Sequence, residues 1–443
     1  MDKHKLLRRL FLLVIFTTLS FSCRSSPTAP HTVANLQLSV QDVACREVWL
    51  KASFSLYQGA SSSFEFKISR DGETLLTGDL LGTDTTVVDT TVQAAKTYNY
   101  EAYLYRDTQL SGTSLPLQVT TLDSTTDNFT WQVFTFGGAA SSYLYDVSIV
   151  NDSDVWAVGA IYVDSADGQP DPYPYNAIQW NGHSWKLAKI NFYTIWGQSY
   201  MTALPARAVF GLDERHVWIV SSNSQIAECS GSSQDTTMSL PVSANKLWAA
   251  DTNFIFAAGN GGVAYYDGYT WQKLASPTAP AIQDIWGRTD GTAKQPQVFA
   301  VASNLDTPYQ KAVLELTPNS ADSLNTAGLN WSLRGIWSPD PWHYYICGDG
   351  IFENNFLDAA WRFTQFQSGV YTEAIRGNAV NDFVIVGDFG FLAHYNGSTL
   401  RQFNGNGLPN FSGQYNSVDM KGNMIIAVGW EATGKAIAAI GWR

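Results

Sequence analysis

The hexapeptide Asp154-Val155-Trp156-Ala157-Val158-Gly159 decides the fold, because variants of it recur along the chain. They occur at His216–Ser221 (HVWIVS), Phe254–Gly259 (FIFAAG), Gln297–Ala302 (QVFAVA), His343–Gly348 (HYYICG), Asp382–Gly387 (DFVIVG) and Met424–Gly429 (MIIAVG). The seven copies start 38 to 46 residues apart, except for a gap of 62 between the first two. A period of this size in a β-rich chain marks a solenoid or a propeller. The hexamer is apolar on both faces, Val155 and Ala157 against Trp156 and Val158. Strands buried on both sides give such continuous runs, whereas a sheet with one wet face would alternate. Radially stacked sheets bury their strands in this way.

Three further strand signals accompany each hexamer. One precedes it and ends near an apolar residue or pair, as in Leu247-Trp248, Ile285-Trp286 and Ile336-Trp337. One follows it, as in Val263–Tyr266 or Phe391–Tyr395, and runs into Asn181-Gly182, Asp267-Gly268 or Asn396-Gly397. These dipeptides predict two-residue hairpins with both central residues at positive φ. A fourth strand then carries an aromatic at a similar offset, Trp185, Trp271, Trp331 and Trp361, with Leu400 in the sixth repeat. The seventh repeat has no such strand after Ala436–Trp442, but Thr130–Phe134 (TWQVF) aligns with Thr270–Leu274 (TWQKL). The expected fold of residues 128–443 is therefore an all-β, seven-bladed propeller whose last blade is closed by the N-terminal strand 128–136, leaving no open sheet edge.

Residues 31–122 read as a separate small β domain. Strands are expected at Leu36–Val40, Val48–Leu50, Phe64–Ile68, Thr86–Val88, Tyr98–Leu104 and Leu117–Thr121, with a turn at Asp71-Gly72. Six or so short strands in this length suit an immunoglobulin-like sandwich. Trp49, the Phe64–Gly72 hairpin and the run Val92 to Tyr98 resemble the fibronectin type III fold, which implies that Tyr98 folds back as a tyrosine corner. Ala94-Ala95 departs from the Pro-Gly usual in that family. The polar stretch Leu122–Asp127 makes a domain boundary.

Residues 1–22 read as a secretory leader: Lys3, Lys5, Arg8 and Arg9, then the apolar run Leu10–Phe16. Leu19-Ser20-Phe21-Ser22-Cys23 resembles a bacterial lipobox, which implies lipidation of Cys23, a tether over 23–30 and an exported envelope lipoprotein of the outer membrane, on its periplasmic or surface side. The membrane is then reached only through that anchor. A net charge of −12 repels phosphate backbones, so a nucleic-acid partner is not expected. Cys45, Cys229 and Cys347 are an odd set with no close pair and suit buried apolar roles.

The repeats also resemble bacterial envelope propellers with units of the form DGxxW…GVWGxxxxDVWAVGxxGxIxHYDG. Ile285-Trp286-Gly287, Asp154–Gly159, Gly259–Val263 and Tyr266–Trp271 carry the likeness. It implies fold and says little of activity.

No catalytic residue is singled out. There is no Gly-x-Ser-x-Gly elbow, and His183, His216, His343 and His394 stand at unrelated strand positions without metal-ligand spacing. The long gap after Gly159 is the one irregularity. It holds two insertions, Tyr162–Tyr175 and Asn191–Pro205. Alternate connections of an antiparallel sheet leave the same end, so both should emerge on one face. There Tyr162, Tyr173, Tyr175, Tyr193, Trp196 and Tyr200, with Asp164, Asp167 and Asp171, form the candidate binding loops. The three aspartates also suggest Ca²⁺, although their spacing misses the EF-hand loop; no other cofactor is indicated. The expected function is a lipid-anchored binding or scaffold protein that presents aromatic loops to a protein or glycan. The alternative is a glycan-active hydrolase using the central funnel, where Trp248, Trp286 and Trp337 cluster at inner-strand ends.

Overall fold

The computed structural model describes residues 34–443 apart from 56–63, 81, 107, 139, 166–167, 170, 232, 277–279, 290–294, 305, 356–358 and 406. The leader, Cys23, the tether and Asp167 lie outside the described residues. All elements among the described residues are β-strands, and none is a helix that could cross a membrane. The chain divides into two compact units between Ser124 and Thr125.

In the first unit, strands Ala34–Val43, Val48–Ser55 and Asp84–Asp89 form one sheet. Glu73–Leu80, Phe64–Arg70, Thr97–Arg106, Gln109–Thr113 and Leu117–Thr120 form the other. Alternation drives the pairing: Phe64, Phe66 and Ile68 face inward and meet Leu50, Tyr100 and Leu104 in one core. Burying each such side chain contributes roughly 2 kcal/mol. The Tyr98 hydroxyl accepts a hydrogen bond from the backbone of Gln93 at 2.8 Å. Asp71 and Gly72, at φ 50° and 85°, make a two-residue turn between Arg70 and Glu73. Glu73–Leu80 and Gln109–Thr113 have weak apolar alternation, so the pattern yields no separate strand for them.

Among the described residues the second unit contains seven four-stranded antiparallel sheets, I to VII, in chain order. Their first strands are Tyr143–Asn151, Ala206–Asp213, Ser243–Asp251, Ile282–Arg288, Leu333–Trp337, Thr372–Ala379 and Gly413–Lys421. Each first strand packs on the next, and that of sheet VII packs on that of sheet I. These strands therefore surround a common axis, as in a β-propeller. The hexamers are the second strands, and Asp154–Ile161 is buried at every position. In sheet VII the fourth strand is Thr130–Phe136, paired with Ala436–Trp442 from Trp442↔Thr130 to Ala436↔Phe136.

Every first strand carries a β-bulge at the same place. The bulged residues are Tyr145, Arg207, Asn245, Gln283, Arg334, Glu373 and Asn416. A bulge presses the strand against its neighbour and re-aims one side chain. The residue opposite, at the end of the hexamer, is glycine in five sheets. A Cβ on Gly159, Gly259, Gly348, Gly387 or Gly429 would stand 1.8–2.3 Å from a carbonyl oxygen in the first strand or of the residue just before it. In these five sheets the hexamer ends in glycine because of this approach, whereas Ser221 and Ala302 take the place in sheets II and IV.

Two expectations need correction. In the Asn-Gly and Asp-Gly turns of sheets I, III and VI only Gly182, Gly268 and Gly397 have positive φ. These are four-residue loops in which Asn181, Asp267 and Asn396 accept the backbone N–H groups two and three residues on. Trp331 is not on a fourth strand either. Ser320–Ser323 fills that place in sheet IV, and Trp331 lies beyond it, packed at a tilt against Tyr309 with ring centres 4.8 Å apart.

Candidate functional site

The two insertions of sheet I meet. The hydroxyls of Tyr173, from the first, and Tyr200, from the second, are 3.0 Å apart and hydrogen bonded. The second insertion forms a hairpin in which Asn191–Tyr193 pairs with Met201–Ala203. Phe192 alternates inward and is fully buried with Trp156, Val158, Ile190 and Val209. Two glutamines of sheet II imitate a neighbouring strand along the hairpin. The Gln234 amide bonds both the N–H and the carbonyl of Asn191, at 2.9 and 2.7 Å. Gln225 does the same to Tyr193, at 3.0 and 2.7 Å. At the base, the buried Asn176 amide bonds Ile190 and Leu204. The backbone is thus fixed independently of its tip.

At that tip Tyr193 and Trp196 meet edge to face at 5.4 Å. Ile195, Trp196 and Tyr200 are 59%, 50% and 56% exposed, and Tyr173 is 40% exposed. One aromatic of this insertion is core, and the rest form a surface.

The other expected residues play supporting parts. Tyr175 opens the third strand, half-buried, with the Lys189 ammonium 4.8 Å above its ring. Lys189 pairs with Asp171 at 2.6 Å, and the second Asp171 oxygen accepts the Tyr173 N–H at 3.0 Å. Lys189 and that N–H hold the Asp171 carboxyl below its ordinary range. Both oxygens of this Ca²⁺ candidate thus already have protein donors. Asp164 is exposed, and Tyr162 is half-buried where its N–H meets Ser142. Ile195 carries no sequence signal of its own, because a single aliphatic residue in a loop has no pattern that marks it as exposed.

The axis of the second unit is filled with buried charge. Asp146 accepts Lys246 Nζ, Ser417 Oγ and the Val209 N–H. Asp284 takes a bidentate pair from Arg376, at 2.7 and 2.9 Å, and the Ile336 N–H. Asp419 accepts the N–H groups of Ile149 and Met420, and burial pushes its carboxyl up. Burial also raises Glu373, against the charge of Arg334 2.8 Å away. Asp146, Asp284 and Asp419 each accept an N–H from the following first strand, so the carboxylates tie sheet to sheet. Trp337 is fully buried and stacked on Tyr345. The face of Trp248 lies where a side chain on Gly287 would stand. With Trp286 they line a depression of about 320 Å³ at the end of the axis toward which the first strands run. Two histidines hold equivalent turns: His216 and His343 bond Asp213 and Asp340, three residues before them.

No protein-family model matches the chain, and no curated protein matches it. Among solved structures it is similar to one described as "YCF48 bound to D1 peptide", with a TM-score of 0.52 and 12% identity, over 72% of this chain and 96% of that one. It is also similar to the WD40 β-propeller domain of Doa1, with a TM-score of 0.50 and 13% identity, over 71% of this chain and 97% of that one. The likeness is one of fold, and the fold is the β-propeller.

Proposed function

We propose that this chain is an exported, lipid-anchored envelope protein whose propeller is a scaffold for a protein partner, seated on the aromatic face of sheet I. In this reading Cys23 carries the anchor and the first unit is a fibronectin type III-like spacer, supported by the Tyr98 corner. The seven sheets are the blades of a propeller closed by strand 128–136. One observation carries the binding assignment. The Tyr173–Tyr200 hydrogen bond joins both insertions into one surface, and that surface stands on a hairpin whose backbone Gln225 and Gln234 already hold. Ordering a loop on binding costs affinity, so a preorganised aromatic tip is what a binding face requires and a mere blade cover does not. Trp and Tyr beside an aliphatic Ile195 suit a protein anchor. A propeller of the same fold is solved with a peptide bound.

Photo-crosslinking tests this. A benzophenone amino acid replacing Tyr200 in envelope-expressed protein should give a discrete adduct, with the partner identified by mass spectrometry, and Trp196→Ala should reduce it at least tenfold. The same substitution should leave the thermal midpoint within about 1 °C, as surface changes do. Absence of a protein adduct, with glycan-array binding that Trp196→Ala abolishes, would replace the protein partner by a sugar. Absence of both would remove the binding role. The anchor is tested by Cys23→Ala, which should move the protein from the detergent phase to the aqueous phase.

A further inference from the structure

The turns between second and third strands emerge on the same face as the sheet I insertions, and at that end sheets VI and VII hold a second set of exposed rings. Phe389, in the turn Asp388-Phe389-Gly390, is 65% exposed and sits in the left-handed region at φ 58°. A bulky side chain is strained there, and glycine or asparagine would not be. Burial does not offset the strain, since the ring is in solvent. A strained residue that presents its side chain outward is a reason to look for a contact.

The surroundings indicate what is contacted. Asp388 pairs with Gln414 from one side, and Trp430 pairs with Gln414 from the other. Directly opposed residues share a face of a sheet, so Asp388 and Trp430 stand on either side of Gln414, roughly 10 Å apart, two strand spacings. Trp430 is 37% exposed. The Asp388 carboxylate is half-buried and has no hydrogen-bond or ion-pair partner among the described residues. Arg334, whose charge acts on it, is engaged by Glu373 and Gln283. Burial pushes the Asp388 carboxyl up, against the field of Arg334. A half-buried carboxylate next to the exposed Phe389 ring, with the Trp430 indole two strands away on the same face, can receive a long cationic side chain by charge and by cation–π attraction. The next turn, beyond Trp430, reaches sheet I, where Gly434 accepts the Ser142 N–H at 2.8 Å. The two sets of rings therefore belong to one continuous rim.

We infer that Asp388, Phe389 and Trp430 form a second contact point that takes an arginine or lysine side chain of the partner polypeptide, whose chain runs along the rim from sheet I across sheet VII to sheet VI. This rests on the protein-binding reading above and adds the chemistry of the occupant. The net charge of −12 favours the same partner.

Saturation-transfer NMR on the full chain tests it, with N-acetyl-arginine amide as probe and N-acetyl-glutamine amide as control. The arginine probe should give a clear signal and the control little. Asp388→Asn and Trp430→Ala should each lower the arginine signal at least fivefold, while Leu115→Ala, at an exposed position of the first unit, should leave it unchanged. Phe389→Gly should raise the thermal midpoint by about 2 °C and still weaken the Tyr200 photo-adduct. No arginine signal, an equal signal from the control, or a signal indifferent to Asp388→Asn and Trp430→Ala would overturn the inference. If the Tyr200 adduct persists in that case, the cationic contact alone falls and the binding face on sheet I stands.

Discussion

Two backbone positions show how a single residue is fixed by its neighbours. Ala95 sits at φ 54°, a conformation that glycine adopts freely and alanine does not. Nothing about an Ala-Ala pair announces this; it follows from the turn that brings Tyr98 back to Gln93. Ala95→Gly should stabilise the first unit by about 1 kcal/mol, read as a higher urea midpoint with an unchanged slope. Gly159 is the opposite case. A Cβ there would lie 2.0 Å from the Tyr143 carbonyl, against the bulge at Tyr145, and backbone cannot step aside. Gly159→Ala should cost about 3 kcal/mol or more through overpacking, whereas alanine already stands at the equivalent position, Ala302, of sheet IV. A melt in which Gly159→Ala equals the parent would mean that the close approach of the Tyr143 carbonyl does not set the glycine. The hexamer's apolar pattern was legible in the sequence because it is local. Its terminal glycine was visible only as repetition, because its cause lies on the preceding strand.

Among elements, the second insertion of sheet I is the one whose conformation matters for binding, and its order comes from elsewhere. Five hydrogen bonds from Gln225, Gln234 and Asn223 hold its outer edge. Replacing both glutamines by leucine leaves the four strands of sheet I intact and removes the clamp. Amide exchange over 191–203 should then quicken at least tenfold while the global melting temperature moves by less than about 3 °C, since local opening need not involve the core. Equal protection in parent and double variant would show that Phe192 alone anchors the hairpin. That both insertions share a face was readable from strand alternation. That Phe192 faces in while Trp196 faces out was not, because a three-residue strand is too short to show a period. The glutamine clamp was invisible for a different reason: its residues belong to the next sheet. Trp331 does not follow the pattern of Trp185 and Trp271, which open fourth strands, because it comes after a long connection.

For the whole molecule, the segment that precedes strand 130–136 and the last residue of the chain meet at one buried group. Asp382, at the head of the sixth hexamer, accepts His394 Nε2 at 2.8 Å and both terminal nitrogens of Arg443 at 2.6 and 2.5 Å. Asn378 adds a fourth donor at 2.7 Å. The other His394 nitrogen faces Asp127 at 2.6 Å, and Asp127 also takes Asn396. Burial alone would raise the Asp382 carboxyl, but the donors and the Arg443 charge outweigh it and hold it well below its ordinary value. A carboxyl depressed in the folded state stabilises above its unfolded value of about 3.9, and that contribution disappears as pH falls through the folded value. Asp382→Asn removes a buried ion pair and should cost about 3–5 kcal/mol at pH 7. Lowering the pH protonates the parent's carboxyl but changes nothing at residue 382 of the variant. The gap in melting temperature between parent and variant should therefore be widest at neutral pH and shrink as the pH falls below about 4. Proteolysis at the ends of the second unit should follow the same course, because Asp127 and Arg443 are released together. A gap of constant size from pH 7 to pH 3 would show that Asp382 is only packed there, and that pairing of Thr130–Phe136 with Ala436–Trp442 holds the ends without it.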